Sequence, residues 1–486
     1  MIKQYVVNVG TFLGDKSVSD VLISQMLVVV KKDEQLVKYM DRLRAHLNVL
    51  RPELMMVVET EYVDAVFRDT YYNYFSTKLK PYYRNCVRLS FFDPGFSTVS
   101  EFFQLPEEEV QRLYLGFIVL RPIGKCIGRS IISPKAKVAP FNGVKVSLSE
   151  FHATCLGVKL TVEGFPHASQ DGEYMTCAET TTWNLMEYFG NKYALYKPML
   201  PSELINNLHA YSTERMVPSS GLTVQQISMA IEQQGFSSLL YTNKDKRFKE
   251  LFTCYVESGL PLAVAISSDN GGHAVVCVGR EEVDRSKMCN GKYLGTTGYV
   301  IWNYNVDNFV FNDDNRPSYV IDEFTKPTQY LTNAHIQAFI VPLHKKIYLP
   351  AEQAIDTAHF FIEKEFNFAT GSAIRTYLTS CRSYREYIRR NPDFTDSVKI
   401  AYLKLEMPKF IWVTEVSTAT DFRQSKVNSL IILDATSPSA PDNPYASLIL
   451  KQNNNVLTIY DENTRSFNDA VMPLPARFES FNHNLR

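Results

Sequence analysis

Apolar residues recur along this chain in two rhythms, and the rhythms alternate. Leu36, Met40, Leu43, Leu47 and Leu50 fall at alternating spacings of four and three, which predicts the buried stripe of a helix that Pro52 ends. Glu61 to Lys80, crowded with Tyr71, Tyr72, Tyr74 and Phe75, predicts a second helix whose aromatic residues pack. Leu115 through Leu120 is an unbroken apolar run and predicts a buried strand. Ala178, Thr182, Leu185, Met186 and Phe189 repeat at spacings of three and four, one face of a helix that begins at Cys177. His273 follows two glycines and heads a β-branched run, the pattern of a buried strand with its imidazole at the strand end. Further on, Glu352 to Phe366 and Ser372 to Arg390 predict helices. The second sets Ile374, Leu378, Cys381, Tyr384 and Ile388 on one face and Arg375, Arg382, Arg385 and Arg389 on a solvated one. Strands follow at 410–413 and 430–433, and 448–450 pairs with 456–460 as a hairpin. The fold class these elements predict is α+β.

The length of 486 residues corresponds to about three domains of ordinary size. With 45% hydrophobic and 21% charged residues the composition is that of a globular protein. A formal net charge of -1 supplies no field to recruit nucleic acid or an anionic membrane, so neither is expected as a partner. The first fifteen residues lack a basic start followed by a long apolar stretch, and no run of eighteen apolar residues occurs. The expected location is therefore cytoplasmic. Eight cysteines without a close Cys-x-x-Cys pair argue against a disulfide framework or a structural zinc site. Gly124 to Ser130 lacks the spacing of a phosphate loop and reads as a turn; Lys125, Arg129, Lys135 and Lys137 are candidates for a modest anion-binding patch.

Two segments carry candidate chemistry. Cys177 opens its predicted helix, where the dipole favours a thiolate, and His273 lies far enough downstream to meet it in space. The other cysteines, at 86, 126, 155, 254, 277, 289 and 381, read as core residues.

The order of motifs resembles the papain-like cysteine peptidases, closest to the branch of bacteriocin-leader (double-glycine) peptidases. The residues that carry the likeness are Gln170, Cys177, the helical stretch from Leu222 ending in Gly235-Phe236, the strand introduced by Gly259-Leu260-Pro261, and His273. The resemblance spans roughly residues 150 to 345 and implies a helix bearing the cysteine packed on an antiparallel sheet bearing the histidine. It implies a peptidase domain at 146–345 between accessory α+β domains at 1–145 and 346–486. Its catalytic set would be Cys177 as nucleophile, His273 as acid and base, an orienting third residue, and Gln170 at the oxyanion. Gln170 stands seven positions before Cys177 where the papain pattern has six. For the third residue two arrangements compete. A strand ending at Asn303 could flank the His273 strand, or the strand 309–312 could, which brings Asp313 into the role. Asp313 is favoured, with Asn303 and Asp314 in reserve. No metal or organic cofactor is implied; a peptide or protein substrate and a regulatory protein partner are. Transpeptidase or acyltransferase chemistry, and a degenerate binding module, are the alternatives.

Overall fold

The computed structural model describes residues 4–16, 33–138, 143–209, 221–285, 293–294, 298–366, 370–438, 442–453, 456–461, 466–471 and 474–486. The protein is mixed α+β with several antiparallel sheets. Its chain forms two compact units: Met1–Leu240 with Leu262–Val278 and Val310–Ile340, and Tyr241–Pro261 with Gly279–Phe309 and Val341–Arg486. Among the described residues no helix is long and apolar enough to cross a membrane.

The first unit is built on a seven-stranded sheet in the order Gln4–Asn8, Met55–Tyr62, Cys86–Phe92, Tyr114–Leu120, Ile127–Ile132, Val158–His167, Ser149–Cys155. Cys86–Phe92 and Tyr114–Leu120 are buried at every position; in the second this matches the apolar run Leu115 to Leu120, whereas the first buries Arg88 and Ser90 as well. Alternate side chains of these strands feed two cores. On one side Leu89, Leu115 and Ile118 meet Met40, Leu43 and Leu47 of the helix Asp33–Leu47, as the stripe predicted. On the other, Phe92, Phe117 and Ile131 share a core with Trp183, Tyr188 and Phe189 of the helix Cys177–Lys192 and with Ala263, Val276 and Val310.

That second core joins what the sequence divided. Ser130, Ile131 and Ile132 pair antiparallel with His167, Pro166 and Phe165, and the Tyr319 hydroxyl accepts from the Phe165 amide at 2.7 Å while donating to the Ile132 carbonyl at 2.9 Å. The position 145/146 therefore lies inside one unit, and the second unit draws 241–261 and 279–309 from the span expected to be the peptidase domain. The three spans 1–145, 146–345 and 346–486 do not coincide with the two units.

Two predicted helices are cut short. Over Glu61 to Lys80 only Ala65–Asn73 is α-helical, because the strand Met55–Tyr62 runs on through an irregularity after Glu59 and Asp64 then caps the helix, accepting from the Phe67 amide at 2.8 Å. Over Ser372 to Arg390 the first half is the strand Ala373–Ser380 and only Cys381–Arg390 is helical. This strand belongs to the eight-stranded sheet of the second unit, paired with Phe410–Ser417. Arg375 on it is buried rather than solvated, in ion pairs with Glu257 at 3.0 Å and Glu415 at 3.1 Å. The helix Ala351–Glu365 and the hairpin of Leu448–Asn453 with Val456–Asp461 follow the predicted pattern.

Candidate active site

The helix Cys177–Lys192 packs on the strands Ser149–Cys155, Val158–His167 and Leu262–Ser268. Its start is fixed by Glu179, whose carboxylate accepts from the Thr176 backbone amide at 3.1 Å and from the Thr176 hydroxyl. Cys177 is thus the first helical residue, partly exposed, at the positive end of a 16-residue helix. The six other described cysteines are buried, and burial pushes the thiols of Cys126 and Cys155 up to about 12; Cys289 lies outside the described residues.

The loop before the helix is wound about one carboxylate. Asp171 accepts from the amides of Glu173, Tyr174 and Met175 at 2.8, 2.7 and 2.9 Å, while the amides of Asp171 and Gly172 both donate to the Met175 carbonyl. Gly172 sits at φ +81, a left-handed conformation that suits glycine. This turn accommodates the seven-residue separation of Gln170 from Cys177. Arg121 holds the loop from behind, donating to the Ser169 carbonyl at 2.7 Å and the Lys125 carbonyl at 2.8 Å.

His273 lies on Gly271–Glu281, which runs antiparallel to Leu262–Ser268 with His273 opposite Ile266. Its other neighbour in the sheet is Asn308–Asn312, so the residue that leaves that strand, Asp313, arrives beside the imidazole. His273 Nε2 is 2.9 Å from Asp313 Oδ1 and 3.6 Å from Asp314 Oδ1. Tyr330 closes the group, donating to Asp313 Oδ2 at 2.9 Å with its oxygen 3.1 Å from His273 Nε2. The Asn315 amide adds a hydrogen bond to Asp313 Oδ1 at 3.0 Å. The contacts of His273 with Asp313 and Tyr330 both engage Nε2, and the Cys177 side chain is among the groups that act on the imidazole.

The charges follow from these contacts. Burial alone would lower the His273 pKa, but hydrogen bonds to Asp313 and Cys177 and the adjacent carboxylates outweigh it and carry the imidazole up to about 10. Asp313 is held below the usual carboxylate range because its bonds to His273, Asn315 and Tyr330 overcome its burial. Asp314 goes the other way, up to about 7, because burial outweighs the attraction of the imidazolium, with repulsion from Asp313 adding a smaller push in the same direction as burial. His273, Asp313 and Asp314 also form the one grouping among the described residues whose donor atoms, within 4.8 Å of one another, could hold a metal ion; the hydrogen bonds above already engage the His273 and Asp313 donors.

Of the residues singled out in the sequence, Cys177, His273, Asp313 and Asp314 come together. Gln170 stands at the edge of the group, its side-chain amide donating to Asn315 Oδ1 at 3.3 Å, and Asn315 in turn donates to Asp314 at 3.2 Å. Asn303 is not among the partners of His273. It lies buried in a short helical turn, Trp302–Tyr304, of the second unit, where the preceding strand Tyr299–Ile301 pairs parallel with Ala373–Ser380. Two of the four basic residues are engaged within the fold: Arg129 pairs with Glu187 at 2.8 Å and Lys137 donates to the Ser318 carbonyl. Sequence reasoning missed Tyr330 and Arg121. Tyr330 is 57 positions from His273 with no patterned neighbour, so nothing local could have marked it. No family model matches this chain, and a search of curated proteins finds no match.

Proposed function

We propose that the chain is a papain-like cysteine peptidase that cleaves a peptide or isopeptide bond through a thioacyl-enzyme. One observation carries this reading: a histidine bound through Nε2 to a buried aspartate is acted on by a cysteine at the first position of a long helix. An imidazole whose charged form is favoured beside a thiol at a helix start makes a thiolate–imidazolium pair.

In that chemistry Cys177 Sγ attacks the carbonyl carbon, and the C–N electrons leave with nitrogen as His273 delivers its Nδ1 proton to the departing amine. The thioester is then hydrolysed by a water that surrenders a proton to His273. Asp313 keeps Nε2–H engaged throughout, which fixes both tautomer and ring orientation. The Cys177 backbone N–H, one of the free donors of the first helical turn, and the Gln170 amide stabilise the oxyanion. The chemistry asks for no cofactor.

The test is site-resolved mass spectrometry after brief iodoacetamide treatment, together with hydrolysis of a fluorogenic peptide panel. Cys177 labels first and Cys177→Ala abolishes turnover with the fold intact. Preferential labelling at Cys126 or Cys289, with Cys177 untouched, contradicts the proposal.

A further inference from the structure

Lys125 occupies the turn between the strands Tyr114–Leu120 and Ile127–Ile132. Its carbonyl accepts from Arg121, and the same guanidinium nitrogen holds the carbonyls of Ser169 and, at 3.4 Å, Gln170. The backbone of Lys125 and the start of the loop leading to Cys177 are therefore fixed to one group. The Lys125 side chain extends over that loop: its Cε and Nζ each lie 3.6 Å from where a Cβ on Gly172 would stand. Half-buried there, the ammonium acts electrostatically on Asp314, Asp171 and Cys177.

No hydrogen bond or ion pair among the described residues engages this ammonium. Asp171 is committed to three backbone amides, and Asp314 accepts from Asn315. A partly desolvated cation without a contact partner is unfavourable until an anion arrives, and burial accordingly lowers the Lys125 pKa. An anion that completes it stands over Gly172 in the loop that leads to Cys177. Arg129 and Lys137 are engaged elsewhere and Arg42 acts on Lys125 through its charge, so one ammonium faces the loop, which suits a singly charged carboxylate.

We infer that Lys125 recognises a carboxylate of the substrate beside the scissile bond, so that the preferred substrate carries either an acidic side chain or a free terminal carboxylate there. The inference rests on the peptidase reading and names the substrate class of that site.

Its test uses the full chain and two alkylating agents of similar size and opposite character, anionic iodoacetate and neutral iodoacetamide. The ratio of their rates at Cys177 is read by mass spectrometry in the wild type, Lys125→Met, Lys125→Gln and Lys125→Arg. Loss of one nearby positive charge lowers the iodoacetate-to-iodoacetamide ratio about tenfold in the Met and Gln variants, and Arg preserves it. In a second arm, matched peptides with Asp or Asn flanking the scissile bond, and with a C-terminal acid or amide, separate the two carboxylate sources. The wild type favours one acid form about tenfold in kcat/KM, and Lys125→Met does not. A ratio unchanged by removing Lys125 while Cys177 still alkylates overturns the Lys125 assignment alone. A Cys177 inert to both reagents overturns the peptidase reading and the inference with it.

Discussion

Removing the carboxylate of Asp313 tests the site at its most constrained point. The residue is fully buried and the His273 side chain is 8% exposed, so solvent cannot replace what is lost. In Asp313→Ala the imidazolium loses a charge-assisted hydrogen bond of 2.9 Å, a contribution of about 1.5 to 3 kcal/mol. The Nε2–H then keeps only the neutral Tyr330 oxygen at 3.1 Å in place of a carboxylate, and the poorer solvation of the buried imidazolium costs about 1 to 3 kcal/mol more. Together these are about 2.5 to 6 kcal/mol, or roughly a hundredfold to ten-thousandfold in kcat/KM at 1.4 kcal/mol per decade. Asp313→Asn separates the two contributions. The amide oxygen still accepts from Nε2–H and from the Asn315 amide, while the new NH2 faces the Tyr330 oxygen. Only the charge is lost, about 1 to 2 kcal/mol, so this variant falls roughly fivefold to thirtyfold. Steady-state kinetics on the best fluorogenic peptide, with circular dichroism to verify folding, gives both numbers, and Asn303→Ala serves as the control with no effect on turnover beyond any loss of folded protein. Folded Asp313→Ala within threefold of wild type, or a larger loss in Asn303→Ala, refutes the orienting role.

Asp314 makes a prediction about stability. Its folded pKa of about 7 lies above the ordinary carboxylate value, so between pH 4 and 7 the folded state binds a proton that the unfolded state does not, and stability falls as pH rises through that window. Asp314→Asn removes the penalty, which raises the thermal midpoint at pH 8 and leaves it nearly unchanged at pH 4; equal shifts at both values count against the argument. His167 works in the opposite sense. Buried without a hydrogen-bond partner for either nitrogen among the described residues and pushed down to about 4, it is uncharged in the folded state, so stability is lost as pH falls from about 6.5 to 4 and His167→Leu flattens the curve over that range. Urea denaturation at stepped pH values measures the slope. A chain limited to 146–345 lacks Ile127–Ile132, the partner of Val158–His167, and about a third of the shared core, so it does not unfold cooperatively; a sharp denaturant transition from it contradicts the shared-core account.

The helix at Cys177 was legible because Ala178, Leu185, Met186 and Phe189 keep helical spacing, although burial runs unbroken from Ala178 to Phe189 rather than along one face. Gly259 was legible too, though for a local reason. It ends the helix Phe248–Glu257 at φ +71, and the Leu260 amide reaches back to the Tyr255 carbonyl, a closure that any helix can use whatever the chemistry nearby. Strand partnership was less accessible. Nothing local in 299–303 or 309–313 states which of them neighbours the His273 strand, since that depends on a sheet assembled from distant segments. Ala373–Ser380 hid for a related reason. With nearly all its side chains buried it shows no alternation, and the apolar residues that remain happen to repeat at helical spacing into Cys381–Arg390. Arg375, counted as solvated on that false helix, is instead neutralised by two glutamates whose places in the sequence give no hint of it.

Adjacent carboxylates at 313 and 314 divide their roles because their donors differ. Asp313 receives hydrogen bonds from His273, Asn315 and Tyr330, and the charge on it is therefore well stabilised. The Oδ2 atom of Asp314 is buried with no such partner, and a second negative charge so close to the first is unfavourable. Below about pH 7 the proposed triad thus works with one charged carboxylate and one neutral acid against a single imidazolium. Above it, ionised Asp314 at 3.6 Å adds a second attraction that holds the proton on His273. That favours the thiolate but makes the imidazolium a poorer acid toward the leaving amine, so attack and departure are affected in opposite directions by one titration. Lys125, whose charge also acts on Asp314, moderates this coupling, and a substrate carboxylate bound to that ammonium would weaken its hold on Asp314 and shift the balance toward the neutral acid.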